Sequence, residues 1–197
     1  MERASYRPLA ASKAPGGTAI HQPGTYTGVT VESPAISVMT DLRQVSAATV
    51  DMNATLAEAT RTMIARGVRL LFVLGPQREF VGLITARDTS GERPIKLLHD
   101  RGEKFGDLRV ADLMVPRAEI DVLQLTDVLH AEVGHIVATL KSMGRQHALV
   151  ADTDPADGGA RIRGVFSATQ IGRQLGIAVQ TFEVARTFAE IERVLFD

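Results

Sequence analysis

The chain has 197 residues, is 45% hydrophobic, and balances 22 basic against 23 acidic residues. This composition suits a packed globular core, and the balanced charge excludes a general electrostatic attraction to nucleic acid or to anionic membranes. The lack of cysteine excludes disulfides, thiolate metal sites and a cysteine nucleophile.

Targeting signals are missing from the sequence. No apolar run approaches the ~20 residues that span a bilayer, and the N-terminus lacks the apolar region of a secretion signal. We therefore expect a cytoplasmic protein without a membrane segment. Residues 1–30 are rich in proline and glycine and show little apolar periodicity, which predicts a flexible N-terminal arm.

A first structural unit follows the arm. A strand is predicted near "AATVDM" (47–52), and apolar residues from Leu56 to Ile64 then recur at helical spacing until Gly67. The segments "VRLLFVL" (68–74) and "VGLIT" (81–85) are predicted as strands around the turn "QREF". The closing helix is predicted at "ERPIKLLHDRG", after Ser90.

The same order of elements returns in the second half. It consists of a strand near "EIDVLQL", a helix that stops at Gly144, the strand "HALVA", a long polar turn "DTDPADGGARI", the strand "RGVFS" and the helix "ATQIGRQLG". Gly67 and Gly144 are counterparts, as are Gly82 and Gly164, and the second hairpin has the longer loop. One such unit has a poor ratio of buried core to exposed surface. We therefore expect the two units to pack sheet to sheet as one module.

These patterns predict an α/β (α+β) fold made of two β-α-β-β-α repeats. The predicted boundaries are 31–107 for the first repeat and 108–176 for the second. Residues 177–197 are predicted to form a C-terminal extension with a helix, because Thr187 and Glu190 match a capping box ahead of an apolar stripe. That helix either covers the module's own sheet or contacts another subunit, and we expect the subunit contact.

The segments that carry a family resemblance are "VMTD" and "VADLMVP" ahead of the units, "NATLAEATRTMIARGVRLLFVL" with "VGLITARD", and "VATLKSMGRQHALV" with "RGVFSATQIGRQLG". Over residues 35–176 the chain resembles tandem cystathionine β-synthase (CBS) domain proteins. The resemblance implies a pseudo-twofold pair that binds an adenosine-containing ligand in clefts between the repeats, and implies dimerisation.

The first turn, "VGLITARD", has the groups that a nucleotide needs. Gly82 permits close approach, Thr85 offers a hydroxyl where a helical turn favours phosphate, and Asp88 can accept hydrogen bonds from a ribose diol. Arg87 can reach a phosphate, although its position turns it from the Thr85 and Asp88 face. The alternative is a plain capping box between Thr85 and Asp88, and both roles can coexist.

The second turn has Ser167 but replaces the acid with Gln170, whose amide is a weaker acceptor for a diol. We expect the first turn to hold the better site, and the second, formed by Ser167 and Gln170, to be weaker. His147 could contribute a phosphate contact there, and its alternative is a partly buried structural role.

The resemblance implies an adenine slot lined by the following residues of the first repeat: Ala47, Thr49, Val68, Arg69 and Leu70. Val68 and Leu70 are equally typical of a simple core. Strand alternation leaves open whether Arg69 faces outward or into the cleft.

Catalytic and metal motifs are missing from the sequence, and the five histidines form no metal-binding pattern. We therefore expect a regulatory module and no enzyme, metal or required cofactor. Its ligand would be AMP, ADP, ATP or S-adenosylmethionine. We expect a homodimer that acts on an unidentified effector protein. We expect it to bind neither nucleic acid nor a membrane. The alternative is a structural dimerisation scaffold whose clefts stay empty.

Overall fold

The computed structural model describes residues 13, 16–17, 28–102, 104–154 and 156–177. The predicted C-terminal helix and most of the predicted N-terminal arm lie outside the described residues. Within these ranges, no helix has the length and apolar character needed to cross a membrane.

The described chain is a mixed α+β structure with two four-stranded sheets. In chain order the strands are β1 (Thr40–Asp41), β2 (Thr49–Asp51), β3 (Leu70–Leu74), β4 (Phe80–Thr85), β5 (Val115–Pro116), β6 (Val122–Gln124), β7 (His147–Thr153) and β8 (Ala160–Ser167). The helices are α1 (Leu56–Arg66), α2 (Ala86–Ser90), α3 (Glu92–Arg101), α4 (Val110–Leu113), α5 (Leu125–Val128), α6 (Val133–Ser142) and α7 (Ala168–Gln174). The predicted order of strand, helix, strand, strand and helix is confirmed in both halves.

Local signals in the sequence set the ends of the long first helix. The Thr55 hydroxyl accepts a hydrogen bond from the Glu58 N–H at 3.2 Å, and the Glu58 carboxylate accepts one from the Thr55 N–H at 2.7 Å. This capping box satisfies backbone donors at the start of α1. Gly67 ends the helix in the left-handed conformation with φ of 64°, and Gly144 has φ of 61° after α6.

The two sheets have matching topologies. The strand orders are β5-β4-β3-β2 in the first sheet and β1-β8-β7-β6 in the second. In each sheet the two central strands form an antiparallel hairpin, and the short strand ahead of the long helix pairs parallel to it. Val73 pairs with Gly82 and Val150 with Gly164, so the glycines that the sequence matched hold equivalent places.

The repeats exchange the segments that precede them. Strand β1 precedes the first repeat along the chain but pairs with β8 of the second, whereas β5 precedes the second repeat but pairs with β4 of the first. The helical turn Ala35–Val38 is buried in the core of the second repeat, and α4 is buried in the core of the first. The core of the second repeat is therefore completed by a segment that precedes the first repeat, and the core of the first repeat by a segment that precedes the second.

The two sheets meet face to face in an apolar layer, as the sequence predicts. Its buried members are Leu70, Phe72 and Leu83 from the first sheet and Leu149 from the second, and its partly buried members are Leu42, Ala47, Phe80, Ile120, Ile162 and Val165. We call these residues the inter-sheet layer. The Phe72 and Phe80 rings meet edge to face with centroids 5.8 Å apart, an arrangement that adds to the burial of apolar area.

The extent of the second hairpin differs from the prediction. The sequence predicts one polar turn over residues 152–162, but Asp152 and Thr153 continue β7, and residues 160–162 begin β8. The ladder pairs Thr153 with Ala160, and the Arg161 guanidinium bonds Asp154 and Asp157 at 2.6 Å each. Backbone pairing and these ion pairs extend the hairpin where polar composition indicated a loop.

An ion pair fastens β1 to the second repeat. The Arg163 guanidinium donates two hydrogen bonds to the Asp41 carboxylate, at 2.8 and 2.7 Å. The Asp152 carboxylate lies 3.6 Å from Arg163 and 3.4 Å from Arg43. Hydrogen bonding from Arg163, and then from the Arg43 N–H, holds the pKa of the Asp41 carboxyl well below its usual value.

The matched glycines allow a first test of the exchange. A Cβ at Gly82 would lie 2.5 Å from the Val115 carbonyl oxygen, whereas a Cβ at Gly164 would meet only atoms of the Met39 side chain. Gly82→Ala must displace backbone of β5 and should lower the free energy of unfolding by about 1–3 kcal/mol. Gly164→Ala should cost less because a methionine side chain can move. Urea unfolding of both variants measures this, and an equal or reversed order would contradict it.

The Asp41 ion pair predicts a pH dependence of stability. A carboxyl whose pKa is lower in the folded than in the unfolded state stabilises the fold above its unfolded pKa of ~3.9, and this contribution is lost as the pH falls below it. The difference in unfolding free energy between wild type and Asp41→Asn should therefore shrink from pH 7 to pH 3. The exposed Asp121, which has no ion pair or hydrogen bond from its side chain among the described residues, supplies the control Asp121→Asn. A difference for Asp41→Asn that is independent of pH would refute the assignment.

Candidate functional site

Thr85 ends β4 on the face of the first sheet that meets the second sheet. It pairs with Leu70 of β3, and Leu83, two residues earlier, packs in the inter-sheet layer. Because alternate residues of a strand share a face, the half-buried side chain of Thr85 lies on the same face. The first turn therefore places its hydroxyl at the border of the layer between the repeats.

Ser167 ends β8 in the equivalent place on the second sheet. It pairs with His147 of β7, and Val165, two residues earlier, packs in the inter-sheet layer. The Ala168 N–H bonds the Gln146 carbonyl at 2.9 Å, as the Ala86 N–H bonds the Arg69 carbonyl at 2.9 Å in the first repeat. The two turns thus have the same backbone connection to their sheets and face the same interior layer.

The Asp88 carboxylate is engaged within the protein. One oxygen accepts from the Thr85 N–H at 2.9 Å and from the Thr85 hydroxyl at 2.6 Å. The other accepts from Arg93 at 2.8 Å. The capping box that the sequence offered as an alternative is therefore present, and Asp88 is 9% exposed.

Gln170 makes a different contact from its acidic counterpart. Its amide oxygen accepts a hydrogen bond from the Thr40 hydroxyl of β1 at 3.3 Å. The Ser167 hydroxyl makes no side-chain hydrogen bond to any residue in the described ranges. The second turn therefore has a hydroxyl that is not used for capping, whereas its amide connects to the exchanged strand.

His147, which pairs with Ser167 of the second turn, is affected by the charge of Arg69 in the first repeat. Burial, and then the nearby charge of Arg69, lowers the pKa of His147 to about 4. Burial, and then the nearby charge of Arg173, lowers the pKa of Arg69. The half-buried Arg69 belongs to the first repeat in sequence, and its charge acts on His147 of the second.

Arg173 is a residue that the sequence patterns do not single out. It is exposed on α7, three residues after Gln170. Its position one turn along the same helix face is a signal that could have been used. Its electrostatic effect on the pKa of Arg69 depends on how the two repeats pack, which no pattern within either repeat encodes.

The remaining predicted ligand residues occupy different surroundings. Ala47 and Leu70 pack in the inter-sheet layer, whereas Val68 packs against the core of the first repeat. Thr49 is half-buried opposite Phe72, and Arg87 is exposed. The space that Gly82 leaves is taken by the Val115 carbonyl and, 3.1 Å from a built Cβ, by the Met114 sulfur.

Metal ligands do not cluster in the described part of the chain. No group of three or more histidine, aspartate or glutamate side chains there has the arrangement needed to hold a metal ion. The side chains brought together at the two turns are hydroxyl, carboxylate, imidazole and guanidinium groups, which suit hydrogen bonding to a polar ligand.

Solved structures similar to this chain share its fold at low identity. An uncharacterized conserved protein from Pyrococcus horikoshii is 18% identical with a TM-score of 0.53, covering 78% of this chain and 99% of its own. The CBS domain structure NE2398 is 20% identical with a TM-score of 0.52, covering 72% of this chain and 96% of its own. CBSX2 in complex with AMP is 20% identical with a TM-score of 0.48, covering 74% and 95%.

A family model agrees with this architecture. Residues 36–89 match the model described as CBS domain. This match in the first repeat and the shared fold both support the resemblance to tandem CBS domain proteins. No curated protein matches the sequence.

The two turns predict different responses to the loss of their hydroxyls. Thr85→Ala removes a 2.6 Å hydrogen bond to the buried Asp88 and should lower the free energy of unfolding by about 1 kcal/mol. Ser167→Ala removes no side-chain hydrogen bond that the described residues make, so it should change stability by less than ~0.5 kcal/mol. Urea unfolding of this matched pair measures the difference. Equal losses would show that the second hydroxyl also has a capping role.

Proposed function

We propose that the chain is a regulatory module that binds an adenosine-containing ligand between its repeats. The observation that supports this most directly is the pair of hydroxyl-bearing turns, Thr85 and Ser167, at equivalent borders of the inter-sheet layer. AMP, ADP, ATP and S-adenosylmethionine are the candidate ligands. The role is one of sensing, without catalysis and without a required cofactor.

The side chains at these borders suit the parts of such a ligand. Hydroxyl and guanidinium groups bind phosphate, and a carboxylate accepts hydrogen bonds from a ribose diol. The Asp88 oxygens already accept bonds from Thr85 and Arg93, but each carboxylate oxygen has more than one acceptor site. A ribose at the first turn would share Asp88 with the capping box. The apolar slot at Ala47 and Leu70 would take the base.

A ligand that contacts both repeats can act as a signal. It favours one arrangement of the repeats by as much as its affinities for the alternative arrangements differ. We propose that a cytoplasmic homodimer transmits this change to an effector protein. Such a dimer would present the same ligand-responsive surface twice.

A structural scaffold is the second candidate function. The observation that favours it is the closed set of bonds among Thr85, Asp88 and Arg93, which accounts for the first turn without any ligand. In this case the turns would be helix caps, and the module would serve only for assembly.

Ligand binding separates these functions by its effect on stability. A ligand that binds only the folded chain, at ~100 times its dissociation constant, should add about 2.7 kcal/mol to the free energy of unfolding. A thermal shift series with AMP, ADP, ATP and S-adenosylmethionine measures this, with guanosine nucleotides as the control for base recognition. We expect a shift with at least one adenosine ligand and none with its guanosine counterpart.

The scaffold function is supported instead if no adenosine ligand, at millimolar concentration, shifts the thermal unfolding transition. The same samples should be analysed by light scattering after size exclusion, because a scaffold predicts a dimer whose mass is independent of ligand. Product analysis of the incubated nucleotides tests the expectation that the chain does not act as an enzyme.

A further inference from the structure

The tip of the second hairpin contains the only Asp-Gly pair in the sequence, Asp157 followed by Gly158. Both residues are exposed, and they lie beyond the last pair of the β7–β8 ladder, Thr153 with Ala160. Gly158 has φ of 68°, a conformation that residues other than glycine rarely adopt. The tip therefore places a side-chain carboxyl group next to an amide nitrogen that no side chain of its own residue shields.

An aspartyl carboxyl group and the next amide nitrogen can rearrange without any other reactant. The Gly158 nitrogen attacks Cγ of Asp157 and a C–N bond forms, while one carboxyl oxygen leaves as water with the amide proton and the proton of the acid group. Water then opens the resulting succinimide ring at either of its two carbonyls. Opening at the backbone carbonyl produces an isoaspartyl residue, in which the chain runs through Cβ and the α-carboxylate is free. The water released in the first step is taken up in the second, so the atoms balance.

Hydrogen bonds at the tip restrain both reacting groups. The Gly158 N–H donates to the Asp154 carbonyl oxygen at 2.8 Å. One oxygen of the Asp157 carboxylate accepts from the Gly159 N–H at 2.8 Å, and the other accepts from the Arg161 guanidinium at 2.6 Å. The nitrogen and the carboxylate are therefore bonded to other partners, and the ring can close only when the tip opens locally.

Arg161 connects the two sides of the tip. Its Nε donates to the Asp154 carboxylate and its Nη2 to the Asp157 carboxylate, both at 2.6 Å. One planar guanidinium therefore bridges the turn, a geometry that a lysine could not reproduce. The Arg161 and Asp157 side chains are 58% and 56% exposed, so water screens the pair and the restraint is modest in size.

We propose that Asp157 is a site of spontaneous isomerisation to isoaspartate, and that Arg161 slows this modification by holding the carboxylate away from the Gly158 nitrogen. Arg161 is then a positioning residue for the hairpin tip. Isomerisation adds one carbon to the backbone and moves the carboxylate that Gly159 and Arg161 bind, so it would loosen the end of the second hairpin. No ligand takes part, and the modification is independent of the proposed function.

The test follows isoaspartate formation in the full chain during incubation at pH 7.5. Isomerisation leaves the mass unchanged, so digested samples are separated by chromatography and the isoaspartyl peptide is located by fragmentation. The reference is the same chain unfolded in guanidinium chloride. We expect Asp157 to isomerise at least about tenfold more slowly in the folded chain, because the hydrogen bonds of the tip must first break.

Variants test the role of Arg161. Arg161→Gln should speed the reaction in the folded chain about two- to fivefold, the range of an exposed ion pair, and should leave the rate in the unfolded chain unchanged. Arg61→Gln, on the exposed face of α1, is the matched loss of one positive charge and should leave both rates unchanged. Asp157→Glu should abolish the product, because a glutamate side chain would have to close a larger ring. Hydrogen exchange in α1 and α6 identifies global unfolding, which raises exchange there, whereas opening of the tip does not.

Each contrary outcome overturns a stated part of the proposal. If isoaspartate does not form at Asp157 even in the unfolded chain, the site itself is refuted. Equal rates in the folded and unfolded chains would show that the tip imposes no restraint. If Arg161→Gln has no more effect than Arg61→Gln, or if its effect is matched by an equal rise of exchange in α1 and α6, the positioning role of Arg161 is wrong.

Discussion

The exchange of leading segments between the repeats is the constraint on which the structure depends. Neither repeat completes its own sheet or its own core, because β1 and the turn Ala35–Val38 close the second repeat whereas β5 and α4 close the first. Separating the repeats would therefore also require a change in the exchanged segments, which connect each repeat to the other. The two hydroxyl-bearing turns, at the ends of β4 and β8, lie at equivalent borders of the layer between these repeats.

Much of the fold could be predicted because its signals are local. Capping residues, helix-ending glycines and apolar periodicity define α1, β3 and β4, and the duplication repeats the same signals in the second half. The counterpart glycines are matched correctly from sequence, since the pairs Val73 with Gly82 and Val150 with Gly164 hold the same register. Sequence patterns predict an element correctly where the residues that determine it lie within the element itself.

The features that could not be predicted depend on distant pairing. A strand of two residues such as β1 has no periodicity of its own, so nothing local indicates that it pairs with β8 across most of the chain. The extension of β7 and β8 into a polar segment depends on the ladder and on the ion pairs of Arg161. The effect of the Arg173 charge on the pKa of Arg69 arises only when the repeats pack.

The divergence between the turns follows from these same contacts. Asp88 serves the capping of its own repeat, whereas its counterpart Gln170 contacts Thr40 of the exchanged strand. The Ser167 hydroxyl, unlike that of Thr85, makes no capping hydrogen bond. The most direct measurement is a crystal structure of the chain with ADP. The account predicts ADP between the repeats, in contact with Thr85 or Ser167 at the border of the inter-sheet layer, and ADP bound away from both turns would contradict it.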